Sequence, residues 1–314
     1  MSDAEDYPRN LMEFEKCFVN SEACKDYLER LRWPQGFECP GCCSRQAWRT
    51  KRGHLFCRTC KRQTSVTAGT IFDRTKISLP IWFRAVWLIT NQKNGISALG
   101  LQRQLGLACY ETAWTMLRRL RGAMIRPGRE ALSGEVEVDE TLVGGVKPGK
   151  RGRGTEGKEL VVIGAEINGK KTGRIRMKHI LHADSKTLGN FIEASIQKGA
   201  KVVTDGWRGY CGIDQLGYRH KAILGESVGV DELLPRVHQV ASLLKRWLLG
   251  THHGGIDKAH HLEEYLDEFT FRFNRRTSAS RGLLFYRLME QAVCTAPTSY
   301  RGLVGGKIPA GAAG

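Results

Sequence analysis

The chain has 314 residues, of which 49 are lysine or arginine and 32 are aspartate or glutamate, giving a formal net charge of +17 and a pI near 9.6. This length suits two or three domains, and the basic excess favours a polyanionic partner, most often nucleic acid, over a merely soluble basic surface. The start MSDAEDYPRN has no apolar run, and no segment approaches about 18 consecutive apolar residues, so we expect neither a signal peptide nor a membrane span, and a cytoplasmic location.

Basic and acidic residues are unevenly distributed along the chain. Residues 1–31 contain eight acidic and four basic residues, whereas residues 141–180 contain ten basic and three acidic ones. We therefore expect the polyanion-binding surface to begin after the N-terminal segment. Residues 1–32 are predicted to be a helical lead-in, in which Asn20 or Ser21 would cap a helix.

Four of the ten cysteines form two Cys-x-x-Cys pairs, CPGC and CRTC, separated by 14 residues. Each pair makes a tight knuckle that points two thiolates at one site, and two such knuckles complete a tetrahedral zinc site. The nearby Cys43 and His54 do not fit the knuckle spacing. We therefore predict a zinc ribbon over residues 33–70, with a structural Zn²⁺ bound by Cys39, Cys42, Cys57 and Cys60.

Residues 71–130 have the pattern of several short helices and are predicted to be a helical DNA-binding region. Two short helices with a glycine-containing turn before a basic helix suggest a helix-turn-helix, although a plain helical connector fits the same pattern. The tryptophans of this region, Trp82, Trp87 and Trp114, are interpreted as core residues rather than as base-stacking residues.

From residue 134 the apolar period changes, and the predicted element order is β-β-β-α-β-α-β-α. A three-stranded meander followed by α/β crossovers is the ribonuclease-H-like topology. The stretch ELVVIGAEING ends in an Asn168-Gly169 turn, which predicts a hairpin with the next strand. We assign residues 131–294 to this mixed-sheet α/β domain and residues 295–314, which end in a Gly/Ala-rich sequence, to a flexible tail.

A glycine-rich basic loop lies between the first two predicted strands. Residues 144–158 contain six glycines and five basic residues, which predicts a mobile loop that contacts phosphate. The Gly-x-Gly-x-x-Gly spacing within it is not a dinucleotide fingerprint, because a strand pattern rather than a helix follows. The residues expected to contact DNA here are Lys147, Lys150, Arg151 and Arg153.

Two aspartates occupy strand positions where a catalytic site is expected. Asp139 lies on the first predicted strand opposite its valines, and Asp205 ends the strand after the helix. The first and fourth strands of a ribonuclease-H-like sheet are neighbours, so these carboxylates should meet. Close carboxylates need a counter-charge that hard divalent cations supply, and two such ions about 3.5–4 Å apart serve in-line phosphoryl transfer.

The stretch RVHQVASLLKRWLLGTHH predicts an amphipathic helix with an apolar arc formed by Val237, Val240, Ala241, Leu244, Trp247 and Leu248. His238 and Lys245 lie two turns apart at the border of this arc. We expect His238 to supply a third metal ligand, with a satisfied core histidine as the alternative. Lys245, and Arg246 beside it, are expected to contact DNA phosphate near the site.

At these residues the chain resembles the insertion-sequence-1595, or ISXO2-like, family of bacterial transposases. The stretches that carry the resemblance are CPGC, VEVDETLVGG, TDGWRGY, LPRVHQVASLLKRWLLGTHH and EYLDEFTFRFNRR. The resemblance implies a DDE-type transposase with a zinc ribbon, a helical DNA-binding region and a ribonuclease-H-like catalytic domain. It implies Asp139 and Asp205 as the first two catalytic acids, His238 at the third position and Lys245 as the associated lysine.

A histidine at the third position departs from the usual glutamate. A neutral imidazole removes one negative charge and prefers transition metals, so we predict weaker Mg²⁺ binding and a relative preference for Mn²⁺. Glu232, six residues upstream, is the nearest acidic alternative.

The implied reaction is metal-dependent cleavage at the ends of the element, followed by attack of the freed 3′-hydroxyl on target DNA. The implied partners are double-stranded DNA, as terminal repeats and target, and further copies of the chain. Two other functions remain open at this point: a non-catalytic zinc-ribbon DNA-binding protein, and an inactivated or domesticated transposase.

Overall fold

A computed structural model describes residues 6–126, 128–144, 158–224, 233–252 and 259–304. The helices in these ranges are α1 (Leu11–Cys17), α2 (Ser21–Arg32), α3 (Leu79–Asn91), α4 (Ala98–Leu105), α5 (Tyr110–Gly122), α6 (Ser185–Ser195), α7 (Pro235–His252), α8 (Ala259–Asn274), α9 (Arg281–Cys294) and α10 (Tyr300–Val304). The strands are β1 (Ala47–Arg49), β2 (Leu55–Cys57), β3 (Gln63–Thr64), β4 (Glu135–Val143), β5 (Glu159–Asn168), β6 (Lys171–Ile180), β7 (Lys201–Thr204) and β8 (Arg219–Ala222). Within these ranges no helix is long and apolar enough to cross a membrane.

The chain divides into two compact units, one formed by Met1–Pro127 with Ser278–Gly314 and the other by Gly128–Thr277. The sequence predicts a catalytic domain that extends to residue 294 and therefore includes α9, whereas this division places α9 in the first unit. The reason is packing: Phe285 of α9 is fully buried among aromatic rings of α1 and α3, including Phe14 and Trp87. The predicted tail, 295–314, contains α10, and its last residues lie outside the described part.

The helices that the sequence predicts over residues 1–32 and 71–130 are present in the first unit. Asn20 caps α2 by accepting a hydrogen bond from the backbone N–H of Ala23. The turn between α4 and α5 begins at Gly106, whose left-handed φ of 61° a glycine adopts without strain. Trp82 and Trp87 are buried, as expected of core residues. Trp114 is half-buried, and its ring lies under the guanidinium of Arg118.

The zinc-ribbon segment forms a small antiparallel sheet of order β1-β2-β3. Its strands are only two or three residues long and bury few side chains, among them Leu55 and Cys57. So small a sheet has too little core to be stable without an additional crosslink.

The second unit contains a five-stranded sheet of order β6-β5-β4-β7-β8. β4, β5 and β6 form the predicted antiparallel meander, while β4, β7 and β8 are parallel neighbours. The hairpin between β5 and β6 is present, but its loop is shifted by one residue. Asn168 pairs with Lys171, so Gly169 and Lys170 make the turn, and Gly169 has a φ of +56°.

A helix predicted between β7 and β8 is not formed in this part of the structure. Two short 3₁₀ turns, Arg208–Tyr210 and Asp214–Leu216, take its place. Gly212 and Gly217 end them with φ values of +88° and +84°, a conformation that terminates a helix. The helix before β7 is capped by Asp184 rather than by Ser185, because the Asp184 carboxylate accepts the N–H of Thr187.

The two faces of the large sheet pack against different helices. One face packs against α7 and α8, and the other packs against α6 and the 3₁₀ turns. All six residues of the predicted apolar arc of α7 are buried, which confirms the orientation read from the sequence. Val136 and Val138 of β4 face α6, so alternation directs Glu137 and Asp139 to the α7 face.

Side chains from the end of α8 cover the free edge of β6. The amide of Asn274 accepts the N–H of Ile175 at 2.8 Å and donates to the carbonyl of Ile175 at 3.1 Å. The guanidinium of Arg276 donates to the carbonyls of Thr172 and Gly173. These contacts satisfy strand groups that would otherwise be open to pairing with another chain.

Asn274→Ala is therefore expected to lower the free energy of unfolding by about 1–3 kcal/mol, since the N–H of the buried Ile175 loses its partner. Urea denaturation followed by circular dichroism measures this loss. Lys178→Ala, at an exposed position of the same strand, is the control and should change stability by less than about 0.5 kcal/mol. Equal effects of the two substitutions would contradict this role of Asn274.

Candidate active site and zinc site

The four predicted zinc ligands converge in the ribbon. The Sγ atoms of Cys39 and Cys60 lie 3.5 Å apart, as do those of Cys42 and Cys57, and all four lie within 4.8 Å of one another. A zinc tetrahedron with Zn–S bonds of about 2.3 Å requires sulfur–sulfur separations of about 3.8 Å. In the described part of the chain, these cysteines are the one group of three or more His, Cys, Asp or Glu side chains whose ligand atoms are gathered closely enough for a metal.

Backbone N–H groups of the knuckles favour thiolates at Cys39 and Cys57, whereas burial and the neighbouring cysteines raise the pKa of Cys42. The N–H of Cys60 is the main cause that lowers the pKa of Cys57, to about 6. The N–H of Gly41 lies 3.5 Å from the Sγ of Cys39 and lowers the pKa of that thiol. Ribbon geometry and thiol chemistry therefore both fit a structural zinc with four protein ligands.

Cys57→Ser is expected to abolish zinc binding and to expose the ribbon to proteolysis, because the small sheet then loses its crosslink. Metal analysis of the purified protein and limited proteolysis measure these effects. Cys43→Ser changes an exposed cysteine outside the cluster and should retain one zinc per chain. Retention of full zinc content by the Cys57 variant would contradict the four-cysteine assignment.

The large sheet brings Asp139 and Asp205 to neighbouring positions. β4 and β7 are parallel, and their last recorded pair is Glu137 with Val203. Continuing this register by two residues places Asp139 beside Asp205, directly after β7 ends at Thr204. Burial is the main cause that raises the pKa of Asp139, and the negative charge of Asp205 raises it further. The two carboxylates therefore lie close enough to repel each other.

His238 on α7 points at the same place. Its Nε2 lies 3.4 Å from an Oδ atom of Asp139, and its side chain is 39% exposed. The side chain is thus partly exposed rather than enclosed in the core. Lys245 and Arg246, further along α7, are both exposed.

Glu137 fixes the start of α7. Its buried carboxylate accepts the backbone N–H groups of Arg236 at 2.7 Å and Val237 at 2.9 Å, as a cap at the positive end of the helix. Burial raises the pKa of Glu137, while these two donors lower it in part. Glu137 therefore holds the helix turn that carries His238 against β4.

Glu140 and Tyr210 form a hydrogen bond on the face of β4 opposite to Asp139. The hydroxyl of Tyr210, which is fully buried, donates to the carboxylate of Glu140 at 2.8 Å. The pKa of Glu140 is raised to about 7, mainly by burial and also by the charges of Asp139 and Asp205, while the hydrogen bond from Tyr210 lowers it in part. Sequence reasoning missed Glu137, Glu140 and Tyr210 as site residues, although the stretches VEVDETLVGG and TDGWRGY contain them.

Asp205 is held in a tight turn. Its carboxylate accepts the N–H of Trp207 at 2.9 Å, and the intervening Gly206 has a φ of +80°. The indole N–H of Trp207 donates to the carbonyl of Ala183 at 3.1 Å. The turn therefore ties the Asp205 segment to the loop before α6.

Two family descriptions match the chain: a transposase zinc-ribbon domain over residues 19–63 and an ISXO2-like transposase domain over residues 131–274. Together they cover more than half of the chain. The chain belongs to the ISXO2-like (insertion-sequence-1595) transposase family. A relative described as an uncharacterized protein in transposable element ISH50 of Halobacterium salinarum is 27% identical over 281 residues, which span 82% of this chain and 92% of the relative.

The ISXO2-like domain contains all of the acidic site residues together with His238 and Lys245, and the matched ribbon contains the four cysteines and α2. The structure brings together Asp139, Asp205 and His238. It does not describe five residues named from the sequence, so their roles stay predictions: Lys147, Lys150, Arg151, Arg153 and Glu232.

Proposed function

We propose that this chain is a DDE-type transposase of a bacterial insertion sequence, which binds the element ends and cuts and joins DNA by in-line phosphoryl transfer. The observation that carries the proposal is the meeting of Asp139 and Asp205 on adjacent parallel strands, with His238 in contact with Asp139. Its family membership supports the same function.

The proposed function includes a ribonuclease-H-like fold for the catalytic domain. Support comes from the order β6-β5-β4-β7-β8, an antiparallel meander that continues into parallel strands, with the first and fourth strands of the domain adjacent. The predicted division into a lead-in (1–32), a ribbon (33–70), a helical DNA-binding region (71–130) and a catalytic domain (131–294) is part of the proposal.

Two carboxylates and an imidazole are donor types that divalent cations accept, although their ligand atoms are not gathered as closely in this structure as the four cysteine sulfurs are. Asp139 and Asp205 lie side by side on adjacent parallel strands, so a cation between them would offset their mutual repulsion, and the Nε2 of His238 can supply a third donor. When bound at Asp139, Asp205 and His238, Mg²⁺ or Mn²⁺ would polarise the scissile phosphate and supply the charge that cleavage needs. The four clustered cysteines of the ribbon are proposed to bind Zn²⁺ at a separate site.

Each residue of the site has a distinct role in the proposed reaction. Asp139 and Asp205 would hold the cation, and the scissile phosphate would bind beside them for in-line attack by water or a 3′-hydroxyl. Glu137 keeps His238 in register by capping α7. Lys245, exposed two turns beyond His238, neutralises phosphate beside the reacting group, and no covalent protein–DNA intermediate is needed.

Binding of double-stranded DNA is assigned to basic residues around this site. Arg246 is exposed next to Lys245 on α7, and the four basic residues of the loop after β4 are proposed to contact the phosphate backbone. Paired element ends would require at least two copies of the chain, so a homo-oligomer is part of the proposal.

Strand transfer by the purified protein tests the proposal. A duplex carrying the element's own ends is incubated with target DNA and Mg²⁺ or Mn²⁺, and joined products are resolved on a gel. Metal-dependent joining supports a transposase. Binding of the ends without cleavage under either metal would instead favour a non-catalytic DNA-binding protein or an inactivated or domesticated transposase.

A further inference from the structure

The zinc ribbon contributes to function through its surface. Its four cysteines fill every position of a tetrahedral zinc, which leaves no open coordination position for a substrate. The ribbon therefore holds a fixed arrangement of the side chains on its three strands. What these side chains present to solvent decides what the ribbon binds.

One face of the β1–β2 hairpin presents an aromatic platform. Trp48 pairs with Phe56 across the strands, and their ring centroids lie 4.3 Å apart with the rings tilted by 32°. The guanidinium of Arg58 lies 5.9 Å from the Trp48 ring, and Trp48 is 43% exposed. A large aromatic side chain that is held rigidly and kept open to solvent can stack on a nucleic-acid base or sugar.

The segment that forms this platform contains basic residues but no acidic ones. Residues 39–72 contain seven lysine and arginine residues and no aspartate or glutamate. Arg45 and Arg49 form ion pairs with glutamates outside this segment. The remaining basic residues are all exposed, and in the described part of the chain none forms an ion pair: Lys51, Arg52, Arg58, Lys61 and Arg62. Such an uncompensated patch fits a polyanion.

We propose that this ribbon face, defined as Trp48, Phe56 and Arg58 with the hairpin-tip residues Lys51 and Arg52, is a DNA-binding surface that contacts the element ends. The partner is duplex DNA: the cations bind its phosphates, and Trp48 contacts the sugar or base edge between them. The proposal rests on the proposed function, and it adds a second DNA contact to the one on α7.

Equilibrium binding of labelled DNA to the full-length protein tests this surface. The probes are a duplex with the element's terminal sequence, a scrambled duplex and the corresponding single strand, titrated at several salt concentrations. The double variant Lys51→Ala/Arg52→Ala is expected to weaken duplex binding about tenfold or more and to reduce the slope of log K against log salt by about 2. Trp48→Ala is expected to weaken binding about tenfold with little change in that slope.

The matched control is Arg9→Ala/Lys16→Ala, which removes two exposed cations outside the ribbon and should leave binding unchanged. Zinc content reports whether each variant keeps its ribbon, and the hairpin-tip variant touches no core residue. Unchanged duplex binding by both ribbon variants, tighter binding of the single strand than of the duplex, or no DNA binding by the parent would overturn the proposal. Parent protein that binds through the ribbon but joins no DNA would instead contradict the proposed function.

An independent observation concerns the spacing of the two catalytic aspartates. Tyr210 belongs to the turn that follows Asp205, whereas Glu140 is the neighbour of Asp139 on β4. The single hydrogen bond from the Tyr210 hydroxyl to Glu140, at 2.8 Å, thus connects the two segments that carry these aspartates. We infer that Tyr210 and Glu140 are positioning residues that set the separation of Asp139 and Asp205.

Tyr210→Phe tests this inference, which also rests on the proposed function. We expect the kcat of strand transfer to fall about tenfold with the KM for DNA unchanged, and a severalfold higher Mn²⁺ concentration to be needed for the half-maximal rise in Tm. Tyr218→Phe is the matched control, since its buried hydroxyl donates to the carbonyls of Ile192 and Ile196, which belong to neither of the two segments that carry the aspartates. Glu140→Gln keeps an acceptor for Tyr210 and should retain more activity than Glu140→Ala.

A shift of the Mn²⁺ midpoint in the Tyr218 variant equal to that in the Tyr210 variant would show a merely structural effect. An unchanged midpoint and kcat in the Tyr210 variant would likewise overturn the positioning role. Because the thermal measurement needs no DNA joining, it remains informative even if strand transfer fails in the parent.

Discussion

Asp139→Asn is expected to reduce strand transfer by at least about 10³-fold while DNA binding is retained. The substitution keeps the size of the side chain but removes the negative charge that lies beside Asp205 and His238. Several kcal/mol of transition-state stabilisation depend on a divalent cation held by such ligands, and each 1.36 kcal/mol is tenfold in rate. Asp205→Asn should have an effect of the same order.

The measurement is the initial rate of joining on a duplex with the element's ends, beside the affinity for the same duplex. Asp26→Asn, at an exposed position of α2, is the matched control and should behave like the parent. If Asp139→Asn joined DNA at the parental rate, the two-aspartate site would have to be abandoned. If it lost binding and joining together, the loss of activity would reflect folding or DNA contact instead of chemistry.

The aspartates could be placed from the sequence because their positions follow from periodicity and chain order. Alternation along β4 directs Asp139 away from Val136 and Val138, and strand order makes β4 and β7 neighbours. The apolar arc of α7 likewise fixed which edge of the helix His238 occupies. These features depend on regular geometry, which a sequence pattern expresses directly.

Other features depend on which segments meet in three dimensions, so local patterns could not reveal them. Glu137 caps a helix that begins 98 residues later, as its bond to the N–H of Val237 shows, and nothing near Glu137 in sequence announces that partner. The side chain of Asn274 likewise accepts a hydrogen bond from the backbone N–H of Ile175 on β6, 99 residues earlier in the chain. The turns between β7 and β8 replaced a predicted helix because glycines at Gly212 and Gly217 ended each turn early. Tertiary contacts and turn chemistry, rather than propensity, decide these positions.

His238→Ala is expected to reduce strand transfer by about 10²-fold or more, whereas Glu232→Ala should retain most activity. The Nε2 of His238 lies 3.4 Å from Asp139, so removal of the imidazole takes a donor from the site. α7 begins at Pro235, and Glu232 precedes it in sequence. Rates of joining for both variants, beside His182→Ala at an exposed position outside the site, measure the difference. Intact transfer in His238→Ala together with its loss in Glu232→Ala would transfer the third position to the glutamate.

The relative activity with Mg²⁺ and Mn²⁺ also tests the assignment of His238 as the third metal ligand. With an imidazole as third donor the site carries one negative charge fewer than a three-carboxylate site, so the parent should work better with Mn²⁺ than with Mg²⁺ at equal concentration. His238→Glu restores that charge and a hard oxygen donor, and should raise the ratio of Mg²⁺ to Mn²⁺ activity even if total activity falls. The ratio separates a ligand from a residue that merely packs, because loss of packing lowers both activities alike. An unchanged ratio in His238→Glu would mean that the imidazole does not contact the cation, and would leave its contact with Asp139 as its main role.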